Sequence, residues 1–148
     1  MTVYHFCLKK DIRGIRSDGL TRGAVPALET VGAPRGMKSV RVAIHAGWQW
    51  VTLDGDPEKQ SWATNYLKTG DRRECRITIE IPDKELDCLH DADKLDEAIP
   101  GSKANLFEGW PESENWRVFR GNIPKYWFKK IEVRDEESKE WRDFREVL

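Results

Sequence analysis

Apolar and polar positions alternate along much of this chain, the two-residue period of a β-strand, while helical spacing is confined to two stretches. Alternation is cleanest over 74–82 (ECRITIEIP), where Ile77, Ile79 and Ile81 fall on one face. Residues 2–7 (TVYHFC) are β-branched and aromatic and read as a first strand. Residues 39–45 (SVRVAIH) and 48–53 (WQWVTL) predict two more, as do 115–120 (NWRVFR) and 127–133 (WFKKIEV). A last short strand near 140–144 closes a hairpin through Asp135-Glu136-Glu137-Ser138. Helical spacing joins Leu8, Ile12 and Ile15 within 8–17, with Gly19 as the stop. A second helix, EKQSWATNYL, follows the turn at Asp54-Gly55, with Asp56 as N-cap and Pro57 at its first position; it ends near Thr69-Gly70.

The connections are uneven. Residues 20–37 (LTRGAVPALETVGAPRGM), rich in glycine and proline, predict an irregular loop, and a loop that long in a compact domain is usually functional or mobile. Residues 83–98 are acidic and predict short helical turns; 101–114 predict a polar loop; Gly121-Asn122-Ile123-Pro124 breaks the strand before it. Strands dominate and helices are few, so the fold class is α+β, in one domain over 1–148.

Composition narrows the function classes only partly. A chain of 148 residues is large enough to bury a proper core. With 34% charged residues and a net charge of −1, no global field draws it to nucleic acid or membrane, although local basic clusters keep nucleic acid open as a partner. No apolar run approaches the roughly 18 residues of a membrane span, and the N-terminus lacks the basic-then-apolar layout of a signal peptide. Cys7, Cys75 and Cys88 are an odd number at wide spacing, which points to a reducing cytoplasm rather than a disulfide framework. Seven tryptophans exceed what one small core usually needs, so one or two are expected to line a groove that handles a flat ring.

The common chemical motifs are missing. Cys88-x-His90, with Asp91 and Asp93 nearby, has no second ligand pair and reads as a solvated acidic helix end rather than a metal site. No phosphate-cradling glycine loop and no G-x-S-x-G elbow occurs. Cys7 sits mid-strand, where a thiol is usually a small buried hydrophobe rather than a nucleophile. His5 shares a strand face with Val3 and Cys7, opposite Tyr4 and Phe6. If Tyr4 and Phe6 face the core, His5 is turned toward a cleft.

Three segments, in order, carry a likeness. Tyr4-His5-Phe6, a short helix and then Ile15-Arg16-Ser17-Asp18-Gly19-Leu20 resemble the first motif of ADP-ribosyltransferase-like domains, nearest to the DarT-type DNA ADP-ribosyltransferases and the RNA 2′-phosphotransferases. "GWQWVTLDGDPEKQSW" (47–62) resembles their next strand-to-helix element, and "NWRVFRGNIPKYWFKKIEV" (115–133) resembles the closing unit with its Ile-Pro step. The likeness spans nearly the whole chain. It implies a split β-sheet core with a few short helices, and NAD bound as a substrate in a cleft between two small sheets, with no metal.

The resemblance also assigns residues. His5 would hydrogen-bond the ribose beside the nicotinamide, Thr52 would shape the nicotinamide pocket, and Trp50, two residues earlier on the same face, would stack on a ring. Arg22 would meet the NAD pyrophosphate. Arg13, Arg16, Arg35 and Lys38 are further basic residues expected near the mouth. Aligned on Ile123-Pro124, the family's catalytic carboxylate falls at Trp116. Glu114, on the same face if the strand extends back, is then the candidate, with Glu112 second and Glu132 too late in the closing strand. Either Glu114 serves from a shifted position or the carboxylate is missing and the domain is an inactive binding module for a nucleotide, RNA or protein. The acceptor of ADP-ribose stays open between nucleic acid and protein. Small stand-alone members of such families often belong to toxin, phage or defence systems.

Overall fold

The computed structural model describes residues 1–32, 36, 38–60, 72–102 and 113–147. Strands β1 (Thr2–Cys7), β4 (Trp48–Thr52), β5 (Cys75–Glu80), β6 (Leu89–Asp91), β7 (Trp116–Arg120), β8 (Phe128–Arg134) and β9 (Trp141–Asp143) form an antiparallel sheet in the order β6-β7-β4-β1-β5-β8-β9. A separate two-stranded ribbon joins β2 (Ala24–Gly32) to β3 (Lys38–Ala46). Helix α1 (Ile12–Asp18) follows β1, and a terminal turn, α2 (Phe144–Val147), ends the described chain. The molecule is α+β.

Most of the predicted strands lie where the alternation puts them. In β5 the buried positions are the alternate ones, and Ile77, Ile79 and Ile81 are fully enclosed with Val3, Cys7, Ile131 and Val133. Strands β4 and β7 behave differently, because both of their faces are covered. Val51 and Phe119 join this first core, while Trp50, Trp116 and Val118 join a second with Val25, Ala27, Ala92, Leu95 and Ile99. A strand buried on both sides needs no polar face, which is why WQWV and WRVF lack clean alternation.

The loop expected over 20–37 is instead largely strand: β2 pairs with β3 over nine positions. Composition misled here because Pro26 costs the ribbon nothing. The Leu28 amide points away from β3 and donates to the Gly101 carbonyl at 3.1 Å, so Pro26, two residues earlier, would place its missing N–H on the same outer edge. The acidic stretch 83–98 forms two 3-10 turns, Asp83–Cys88 and Ala92–Glu97, with the unforeseen edge strand β6 between them. Most of the helix expected after Pro57 lies outside the described residues, as do Trp62, Trp110, Glu112 and Arg35. Its start is described: Asp56 accepts the Glu58 amide at 2.9 Å, with Pro57 at the first position. Asp56→Ala should therefore lower stability by about 1 kcal/mol in urea unfolding, the usual value of an N-cap.

Two features of the fold position the site. Strands β1 and β4 pair at one position alone, Tyr4 with Thr52, so the sheet is narrowest at that joint, with β6-β7-β4 on one side and β1-β5-β8-β9 on the other. The end of α1 is pinned by a bridge between Leu20 and Ile123, whose amides and carbonyls exchange hydrogen bonds of 2.9 and 3.0 Å. The first and closing segments singled out in the sequence thus meet in space.

Candidate active site at the β1–β4 joint

A cavity of about 680 Å³ opens at this joint, within the roughly 300–1,000 Å³ range of small-molecule sites. Its wall takes Tyr4 to Leu8 from β1 and its exit, Asp11, Gly14 and Asp18 from around α1, the run Gly19 to Ala24, Pro26 from β2, Gln49 to Thr52 from β4, and Arg72 and Trp116. His5, Arg22, Trp50 and Thr52 therefore line one space.

His5 reaches it by a route other than the one strand parity suggested. Val3 and Cys7, on its own face, enter the first core, whereas Tyr4 packs against Gly55 and Phe6 tilts against Trp141. His5 escapes the core because it sits at the joint, where its Nδ1–H donates to the Trp50 carbonyl across the gap at 2.8 Å. A carbonyl only accepts, so Nδ1 carries the proton and Nε2 of the neutral ring keeps its lone pair as an acceptor. Burial pushes the His5 pKa below the ordinary histidine value; the Trp50 bond and Asp11 oppose that, and Arg72 adds to it.

A folded-state pKa below the unfolded value means that the unfolded chain binds more protons, so this contribution to stability is complete above about pH 6.5 and is lost as the pH falls toward the folded value. Melting temperatures between pH 7.5 and 5 should fall with acidity, and His5→Gln should flatten that slope.

The other cavity residues have fixed roles. Thr52 is buried and its hydroxyl accepts the Asp54 amide at 3.2 Å. Trp50 donates Nε1–H to the Ala24 carbonyl at 2.9 Å and meets Trp116 edge to face with ring centroids 6.4 Å apart. This ties the segment after Gly23 to β4. Arg22 is exposed at the wall, and Asp11, Asp18 and Arg72 are charged neighbours that sequence reasoning did not assign to it.

Glu114 stands elsewhere. It lies exposed on the turn Ser113–Asn115 ahead of β7 and is absent from the cavity wall, which Trp116 occupies. Glu132 is buried in an ion pair with Arg76 at 3.0 Å and another with Lys130 at 3.3 Å, a structural carboxylate in β8. Arg13 and Arg16 face a second pocket of about 470 Å³ with Ser17 and Lys125, so they do not join Arg22, and Lys38 begins β3. Cys7 stands opposite Cys75 in the β1–β5 register; its hydrogen bond to that thiol, together with burial, raises its pKa and makes it a poor nucleophile. His90 packs its ring edge against Trp48, and among the described residues no group of three His, Cys, Asp or Glu side chains is placed to hold a metal. No described helix is long and apolar enough to cross a membrane.

No family model, curated protein or solved structure matches this chain. The site has to be read from its own chemistry.

Proposed function

We propose that this chain is an ADP-ribosyltransferase-like protein of the cytoplasm that binds NAD in the cavity at the β1–β4 joint. One observation carries the reading: residues 5, 22, 50 and 52, far apart in sequence and marked by the family likeness for NAD contacts, line a single cavity of suitable size. The neutral His5 ring offers Nε2 to a ribose hydroxyl. Trp50 and Thr52 bound the place of a flat ring, and the Arg22 guanidinium is at hand for phosphate oxygens.

The reaction this arrangement serves is transfer of ADP-ribose. The bond from ribose C1′ to the nicotinamide nitrogen breaks, the electron pair leaves with nicotinamide, and an oxocarbenium-like centre forms as in glycoside cleavage. A new bond to C1′ comes from a nucleophile of a nucleic acid or protein acceptor, whose proton passes to a general base. No step needs a metal.

A second reading, the same fold binding the nucleotide without cleaving it, is favoured by Trp116. It occupies the wall where the family likeness calls for a carboxylate, and Glu114 is outside that wall. Calorimetric titration of NAD with nicotinamide release followed in the same samples separates the two. Binding with release, and with ADP-ribose carried onto an added nucleic acid or protein acceptor, establishes the transferase. Binding without release, with candidate nucleic acid and protein acceptors present, leaves the binding module. Absence of binding overturns the NAD assignment.

A further inference from the structure

Gln49 is a polar side chain in the middle of an aromatic and aliphatic strand, flanked by Trp48, Trp50 and Val51, and it is 3% exposed. Its Oε1 accepts the Gly23 amide at 2.8 Å. An N–H can only donate, so the orientation of the amide follows: oxygen toward Gly23, nitrogen away from it. Glycine at 23 makes this approach feasible, because a Cβ there would lie 2.9 Å from Gln49 Cα and closer still to its Oε1 and to the Trp48 carbonyl.

The other end of the amide is the anomaly. Gln49 Nε2 is shut off from solvent and has no hydrogen-bond partner among the described residues. A buried donor left unpaired carries its full desolvation cost, so such a group in a folded protein calls for a specific explanation. Gln49 is also among the residues that line the cavity with His5, Arg22 and Trp50. We infer that Gln49 is a ligand-binding residue whose Nε2–H donates to an acceptor oxygen of the bound dinucleotide, either the nicotinamide carboxamide carbonyl or a phosphoryl oxygen. This rests on the NAD reading of the cavity and adds to it. His5 presents an acceptor to the ligand and Gln49 presents a donor, so the pocket discriminates by polarity at two points.

The test pairs an isosteric variant with a direct spectroscopic readout on the parent protein. Gln49→Glu keeps an oxygen for the Gly23 amide and replaces the NH₂ by an oxygen that cannot donate. The expected result is a loss of NAD affinity of about 10- to 100-fold, the scale of one buried hydrogen bond left unmade. In ¹⁵N-labelled parent protein the Gln49 side-chain amide resonances, identified by their disappearance in the variant or in Gln49→Met, should shift on addition of NAD. A matching shift with ADP-ribose assigns the acceptor to a phosphoryl oxygen; a shift with NAD alone assigns it to the carboxamide.

NAD binding with unmoved resonances, or with variant affinity within about twofold of the parent, overturns the inference and leaves the cavity's assignment standing. Gln49 is then only a clasp for Gly23. Should NAD not bind the parent at all, both fall together. If neither variant folds, the resonance is identified by residue-selective labelling and its response to NAD decides.

Discussion

His5→Ala should lower NAD affinity by about 100-fold, near 2.7 kcal/mol, while the protein still folds. Where β1 and β4 pair at only one position, the His5 ring spans the gap, and its bond to the Trp50 carbonyl sets both the ring's orientation and its tautomer. The variant removes the Nε2 acceptor and leaves that carbonyl to water. The fold itself loses about 1 kcal/mol, one ordinary hydrogen bond, because Val3, Cys7 and the β1–β5 ladder are untouched. Calorimetry measures the affinity and circular dichroism the fold. Parental binding by a folded variant would remove His5 from the site. In the parent, binding should also weaken as the pH falls through the lowered pKa of His5, beneath the ordinary histidine range, since a protonated ring has no lone pair to offer.

The largest stability effect is expected at Gly19. Its backbone lies at φ 80°, ψ −169°, a region open in practice only to glycine, and a Cβ there would collide with the Ile123 carbonyl and approach Lys125 N to 3.2 Å. Both neighbours are backbone and neither swings aside. Gly19→Ala should cost about 4 kcal/mol, conformational strain and overpacking together, and lower Tm by about 8–16 °C. The damage falls on the Leu20–Ile123 bridge, and with it on the placement of α1 against the cavity. Gly14, in the same helix, is the control. Nothing lies within 4 Å of a Cβ built there, so Gly14→Ala should stabilise the protein by about 0.5–1 kcal/mol. If both variants melted alike, the assignment of strain to Gly19 would be wrong.

The Gly19 case also shows why the ending Gly-Leu is readable as a motif. A helix stop that must turn at positive φ and dock on another backbone leaves a mark at one position, and the Gly19 amide closing on the Ile15 carbonyl at 2.7 Å completes it. The ribbon leaves no such mark. Glycine and proline in 20–37 are local signals of a loop, yet Pro26 is tolerated at an outer edge and residues 24–32 all pair with β3. Only the partner strand decides that. Likewise Gln49, in an otherwise apolar WQWV, could have drawn notice as a polar residue out of place, but its amide geometry depends on Gly23, just ahead of β2 and 26 residues earlier in the chain.

By itself, the sequence determined the strands with one covered face, the stop after α1, the cap at Asp56 and the α+β class, since each rests on local periodicity or on backbone chemistry within a few residues. Tertiary structure alone decided which faces of β4 and β7 are buried, that residues 5, 22, 50 and 52 share a cavity, and that Trp116 rather than Glu114 stands in its wall. These are matters of long-range pairing. Register and the single-position joint between β1 and β4 arise from strands brought together across the 48 positions from Tyr4 to Thr52, and no local pattern encodes where a sheet will open.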